Sequence, residues 1–371
     1  MTRGDKIRQA REIRAMTQEE LAIEVGKNTK TVIAQVERGF REPSSELMES
    51  IALATKFPLN FFDAPPHIEF PLSDVIFRAK AGISRKNILA AVRYTEHVFG
   101  IAFSLARKLK SIPVTFKPSA SKAVAAARET RQLMKLDPYE PLVNIIRALE
   151  RAGVWCFAMP NLEDGDAFCL WMEVEQRSIP IIAVSSKAPV DRLRLSVAHE
   201  LGHLVMHKGL ILRSRKEVEE EAFSFAAEFC LPAEAMEREM AGPITLSSLA
   251  RLKLRWGISM AALARRAHEL KLLTTRQYHY LFQQLSSKGW RTEEPPQLNI
   301  AVDKPRLVRN MAELVYGFPI NYARFAADTR VSEQELRSIM ALYAERKELS
   351  LEDAPPKAKV FAFPKGVLEG V

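Results

Sequence analysis

SVAHELGHLVMH, residues 196–207, holds two histidines four positions apart, with a glutamate directly after the first. Four residues are just over one helical turn. His199 and His203 therefore share a face and can turn imidazole nitrogens toward one ion, with Glu200 about 100° round beside them. This is the spacing of a metal site with an adjacent general base. The flanking Leu195, Val197, Ala198, Leu201, Leu204 and Val205 are apolar, so the helix is half-buried and its histidines need polar partners. Zinc supplies such a partner. A catalytic zinc takes three protein ligands and keeps a fourth position for water.

The third ligand is expected from the next helical stretch, EVEEEAFSFAAEFCL at 217–231, which carries Glu217, Glu219, Glu220, Glu221 and Glu228. Ala222, Phe225, Ala226 and Phe229 mark its buried stripe. Glu221 and Glu228 are read as flanking that stripe, with Glu219 and Glu220 toward solvent. Periodicity thus favours Glu221 or Glu228 and leaves the two open.

Upstream of this pair the hydrophobic period is two. VWCFAM (154–159), AFCLWMEV (167–174) and IPIIAVSS (179–186) are β-branched or aromatic runs bounded by turn residues, predicting a small three-stranded sheet. Elsewhere the period is helical. One long amphipathic helix is expected over 84–111, others over 119–135 and 138–152, the latter opening at Asp137-Pro138. Further helices are expected at 190–207, 217–230, 245–256, 259–270 and 274–287, and two or three more between 306 and about 347. The fold class is mainly α with a small β-sheet, α+β.

The chain has 371 residues and a net charge of +9, with 47% hydrophobic and 27% charged residues. That length exceeds one hydrophobic core, and that composition belongs to an ordinary globular protein. No run is read as membrane-spanning and the N-terminus lacks a signal-peptide core, so a cytoplasmic protein without membrane association is expected. Cys156, Cys169 and Cys230 are scattered among apolar residues and read as buried thiols. Residues 83–151 hold thirteen Lys/Arg against five Asp/Glu, whereas residues 1–62 hold ten against nine. The excess charge is thus a helix-face feature of the centre of the chain.

The run R-x-R-L-S-V-A-H-E-L-G-H-L-V-M-H (192–207), followed by E-E-E-A-F-S-F-A-A-E-F-C-L-P (219–232), resembles the ImmA/IrrE metallopeptidases, whose pattern is an AHELGH helix followed by E-A-N-x-F-A-A-x-L-L-x-P. The likeness extends over roughly 70–295. It implies a zincin-like fold with one Zn2+ held by His199, His203 and the glutamate before the alanine, Glu221. Phe223 stands where that family usually has asparagine. The implied reaction is peptide hydrolysis with Glu200 as general base. His207, Tyr278, His279 and Arg192 are candidates for stabilising an oxyanion, a structural role being the plainer reading for His207, and His67, His97, His268 and His279 read as ordinary surface or core histidines.

The first sixty residues read as short helices with Thr17, Thr29 and Ser44 as N-caps, Thr17 opening a capping box with Glu20. T-Q-E-E-L-A, the turn glycine Gly26 and V-E-R-G at 36–39 resemble the Cro/repressor (XRE) helix-turn-helix. Leu21, Ala22, Val25, Val32, Ile33, Val36, Leu47, Ile51 and Leu53 suffice for a small core. The resemblance places Lys30, Thr31 and Gln35 toward bases, Gln18 at a phosphate, Thr29 as the recognition-helix cap, and Arg11 with Glu37 in a buried ion pair.

The expected organisation is a helix-turn-helix domain at 1–62, a linker at 63–83, a peptidase domain at 84–295, a helical region at 296–350 and a tail at 351–371. A-R-F-A-A-D-T-R-V-S-E-Q-E-L-R-S-I near the C-terminus has the look of a second helix-turn-helix pair, packing against the peptidase core being the plainer reading. Function is expected to be that of a DNA-binding transcriptional regulator fused to a zinc endopeptidase. The family likeness implies a regulatory protein as substrate, of repressor or antitoxin class, in stress responses. A homodimer would supply the second DNA half-site. The competing reading is a transcription factor whose peptidase-like domain senses metal or ligand without cutting.

Overall fold

The computed structural model describes residues 3–27, 29–63, 70, 84–109, 117–160, 167–187, 190–209, 214–301, 303–345 and 348. Most of the expected linker, and the expected tail, lie outside the described residues, as does His67.

Four helices make the N-terminal unit: α1 (Arg3–Ile13), α2 (Gln18–Glu24), α3 (Thr31–Glu37) and α4 (Ser45–Thr55). Thr17 caps α2 in a capping box with Glu20, and Ser44 caps α4, as their hydroxyls and spacing require. Ile7, Ala10, Leu21, Ile33, Val36 and Ile51 are buried and form the small core, whereas Leu53, expected in it, lies on the outer side of α4 and is 81% exposed. Gly4 lets α1 close on the end of α3, where an added Cβ would lie 2.3 Å from the Val36 carbonyl oxygen.

The long helix α5 (Arg85–Leu109) is, by length and composition, apolar enough to cross a bilayer; instead it is a core helix, its most apolar window being 72% buried inside the fold. Mid-helix, the buried Arg93 donates to Glu96 at 2.7 and 2.9 Å and to Glu12 of α1 at 2.8 Å. Two shorter helices follow, α6 (Ala123–Leu133) and α7 (Ile145–Arg151). Here the expected start at Asp137-Pro138 fails. Asp137 Oδ1 instead accepts the Tyr139 and Glu140 amides in a turn, and Asn144 caps the helix.

Strands β1 (Trp155–Met159), β2 (Ala167–Val174) and β3 (Arg177–Ser185) form one sheet in the order β1-β3-β2. β1 runs parallel to β3 and β2 antiparallel to it, with Trp155, Ile181 and Leu170 in one row and Cys156, Ile182 and Cys169 in the next. The pleat sends alternate rows to opposite faces. Trp155, Phe157, Leu170 and Ile181 join the core of α5 and the N-terminal unit, while Cys156, Cys169, Ile182 and Val184 join a second core. All three cysteines are buried, and desolvation pushes the Cys230 thiol up to about 12.

That second core is built by α8 (Val190–Met206), α9 (Arg215–Cys230), α10 (Ala233–Glu239), α11 (Leu246–Trp256), α12 (Met260–Glu269) and α13 (Thr275–Ser287). Helix α10 was not expected from the sequence. The C-terminal helices α14 (Leu307–Tyr316), α15 (Tyr322–Thr329) and α16 (Glu333–Leu342) return to the first core, burying Val308, Met311, Phe325, Leu336 and Ile339 beside α5. The C-terminal pair α15–α16 is thus a packing element: Glu335 of α16 accepts from Arg14, the residue after α1, at 3.1 Å.

Candidate functional site

Helix α8 is pinned by buried charge. Arg194 donates to Asp303 at 2.9 and 3.3 Å and to the carbonyls of Leu142, Val143 and Trp256. Lys253 of α11 bridges Asp191 and Glu294 at 2.6 and 2.5 Å. Such groups stay buried because each donor is met. Gly202 then lets α9 approach, since an added Cβ would lie 3.1–3.2 Å from the Phe225 ring and its Cβ.

Across this contact His199 Nε2 and His203 Nε2 face each other at 3.1 Å. Two imidazole nitrogens at that distance cannot both carry a proton, so at least one lone pair points into the gap. The carboxylate that reaches them is Glu219, not Glu221: its oxygens lie 3.2 Å from His199 Nε2 and 3.6 Å from His203 Nε2. One ligand atom from each of these three residues falls within 4.8 Å of the others.

Helical geometry explains the change of glutamate. At about 100° per residue, Glu219 lies roughly 60° from Ala222, on the side shared with Phe223 and Ala226. Phe223 confirms where that side faces, its ring centroid being 4.3 Å from that of His199. Glu221 lies about 100° from Ala222 the other way, and its Oε2 is 3.0 Å from His207 Nε2. Glu228, the other sequence candidate, is buried in a structural cluster with Arg128, Arg266 and the Ala233 amide.

The donor set fits a tetrahedral metal. Ligand bonds of about 2.0–2.1 Å place donor atoms about 3.3 Å apart, against 3.1, 3.2 and 3.6 Å here. Glu200 is buried next to His199. His199 Nδ1 is buried and has no hydrogen-bond partner among the described residues. Phe223, 59% exposed, leans on the His199 ring instead. Of the oxyanion candidates, His207 sits between His203 and Glu221, and Arg192 donates to the Arg291 and Thr292 carbonyls. Tyr278 stacks on His268 and packs against His279.

In the N-terminal unit, Arg11 donates to Glu37 at 2.6 and 3.0 Å, both side chains buried. Gln18 Nε2 also donates to Glu37, at 2.7 Å, tying the expected phosphate contact to this ion pair. Thr29 is not the cap of α3. The first helical carbonyl is that of Lys30, which accepts the Ala34 amide at 2.9 Å, so Lys30 is the capping residue, without a side-chain cap bond. Gly26 (φ +69°) closes α2, and α3 starts only at Thr31, two residues past Thr29. Thr29, Lys30, Thr31 and Gln35 are all exposed.

Fold and site together define a helix-turn-helix protein joined to an HExxH domain of peptidase type. Two family models match in these places: the IrrE N-terminal-like domain of peptidase family M78 over residues 149–268, and a helix-turn-helix over 7–62. The chain therefore has the architecture of an XRE-type helix-turn-helix followed by an ImmA/IrrE-type domain, and His199, Glu200, His203 and Glu219 all lie within the latter. No curated protein matches the chain.

Proposed function

We propose that this chain is a cytoplasmic DNA-binding transcriptional regulator fused to a zinc-dependent endopeptidase that cleaves a regulatory protein of repressor or antitoxin class. The observation that carries the reading is the convergence of His199, His203 and Glu219 at ligand spacing, beside Glu200. His199 Nε2, His203 Nε2 and one Glu219 oxygen would hold the ion. A bound zinc supplies Lewis acidity, polarising the scissile carbonyl and acidifying water.

Glu200 takes the proton of the attacking water as its oxygen bonds to the carbonyl carbon. It then delivers that proton to the departing nitrogen as the C–N bond breaks, leaving a carboxylate and an amine. Phe223 covers one side of His199 with an apolar ring, limiting the approach of other water. A non-cleaving sensor would need the ligands but has no use for Glu200, which favours the peptidase over that reading. The exposed face of α3, with Lys30, Thr31 and Gln35, is assigned to DNA, two copies of the chain serving two half-sites.

The test compares wild-type chain with Glu200→Gln. Metal analysis should find about one zinc in both. A lysate incubated with each protein and labelled at new N-termini should yield cleaved regulators with wild type, reduced about 10²–10⁴-fold with the variant. Equal cleavage by both proteins, or no cleaved protein with zinc-loaded wild type, overturns the reading.

A further inference from the structure

The hydrogen bonds of this site continue past the two HExxH histidines. His207, one turn beyond His203, places its Nδ1 3.0 Å from His203 Nδ1, and its Nε2 lies 3.0 Å from Glu221 Oε2. His203 and His207 are buried, while the Glu221 side chain is 36% exposed. The glutamate that the sequence offered as a ligand is thus separated from His203 by an intervening imidazole.

Resting on the reading of His199, His203 and Glu219 as a zinc site, we infer that His207 and Glu221 are positioning residues that lock His203 in its metal-binding tautomer. The proton positions follow link by link. A carboxylate accepts hydrogen bonds and does not donate them, so the hydrogen of neutral His207 sits on Nε2, toward Glu221. His207 Nδ1 is then a bare acceptor. It takes a hydrogen bond from His203 Nδ1–H, which leaves the lone pair of His203 on Nε2, the nitrogen facing His199 and Glu219. The opposite tautomer of His203 would set two lone pairs against each other at 3.0 Å and aim an N–H into the ligand cluster.

Ligating histidines are held in this way by a carboxylate or carbonyl bonded to the far nitrogen; here a second histidine carries the link from α8 to the carboxylate of α9. The two helices are joined once through Glu219 at the ligand side and once through Glu221 behind it. His199 gains orientation differently, from the Phe223 ring. The two ligating imidazoles are therefore unequal, and His203 is the one whose geometry depends on hydrogen bonding.

The experiment uses the full chain and zinc itself, measuring the dissociation constant by competition with a chromophoric chelator. The visible spectrum of the cobalt-substituted protein reports the ligand set. His207→Phe should weaken zinc binding about 10- to 100-fold. Glu221→Leu should weaken it in the same direction while keeping the cobalt band positions, because no ligand is lost. Glu221→Gln should rescue most of the affinity, its amide oxygen still accepting from His207.

Zinc affinity within twofold of wild type in both His207→Phe and Glu221→Leu overturns the inference. So does a Glu221→Leu protein that loses zinc and the cobalt spectrum as fully as Glu219→Leu, since Glu221 would then be a ligand itself. Should His207→Phe fail to fold, the two Glu221 variants decide alone. Failure of wild type to bind zinc is a different result, and sinks the metal-site reading beneath.

Discussion

The α8–α9 site and the exposed face of α3 are built in opposite ways. In the first, polar side chains point at one another: three histidines and two glutamates form a continuous series of contacts of 3.0 to 3.6 Å across two packed helices. In the second, Lys30, Thr31 and Gln35 point outward from a helix held from behind by Ile33, Val36 and the Arg11–Glu37 pair. A site that grips a small ion can be nearly complete within one chain. A surface that reads a long partner cannot, because half of its hydrogen bonds belong to that partner. The fold therefore carries much more information about the first than about the second.

The sharpest way to break the comparison is to remove the support behind α3. Arg11→Leu leaves the buried Glu37 carboxylate with Gln18 in place of its cation, and losing one partner of a buried pair costs about 3–5 kcal/mol. Urea unfolding of the full chain, followed in the N-terminal unit, should show a loss of that size, with zinc affinity of α8–α9 unchanged. Arg11→Leu combined with Glu37→Leu should cost less than the single change, since no charge is stranded. A single-variant loss below 1 kcal/mol would mean that the pair does not hold α3.

A smaller effect is expected at the outward face itself. Lys30→Ala and Gln35→Ala should each weaken binding to an operator selected from random duplexes, by roughly tenfold. Fluorescence anisotropy at several salt concentrations checks this. With ten Lys/Arg against nine Asp/Glu in residues 1–62, the salt dependence should be shallow. Unaltered affinity in both variants would place DNA on another surface and dissolve the contrast.

Long periodic elements were legible in the sequence because burial imposes their spacing. The helix expected at 84–111 spans Arg85–Leu109, and each strand falls within about two residues of its expected ends. Short elements set by caps and turns were less so: α7 begins seven residues after Pro138 because Asp137 spends its carboxylate on a turn. Glu219 was missed for a related reason. Its place on the side of α9 that faces His199 and His203 depends on a rotation of about 60°, and a stripe drawn from four apolar residues has edges no sharper than that. Packing of the C-terminal helices was the plainer reading of their sequence, but not that they would join the core shared by α5 and the N-terminal unit, since an amphipathic helix does not name the surface it covers. The Arg14–Glu335 contact links positions 321 residues apart, and no local pattern announces it.

The most gradual effect, spread over a range of pH, lies at the seam between the α3 unit and the rest of the fold. Lys6 on α1 is buried, its ammonium 3.3 Å from Gln9 Oε1 and 4.9 Å above the Phe61 ring. Burial lowers its pKa from 10.5 to about 8, opposed by the Glu96 carboxylate on α5. Between those two values the unfolded chain binds more protons than the folded one, so stability should rise as pH increases from 8 toward 10.5 and be lowest below 8. The slope from this group is at most about 1.4 kcal/mol per pH unit. Lys6→Met keeps the apolar stem and removes the titration, so its unfolding free energy should be flatter than that of wild type over the same range. Identical slopes in the two proteins would show that Lys6 escapes to water. In that case the N-terminal unit would be more loosely docked on α5 than the Arg93–Glu12 contact implies, and α3 would have to be treated as a face on an independently moving module.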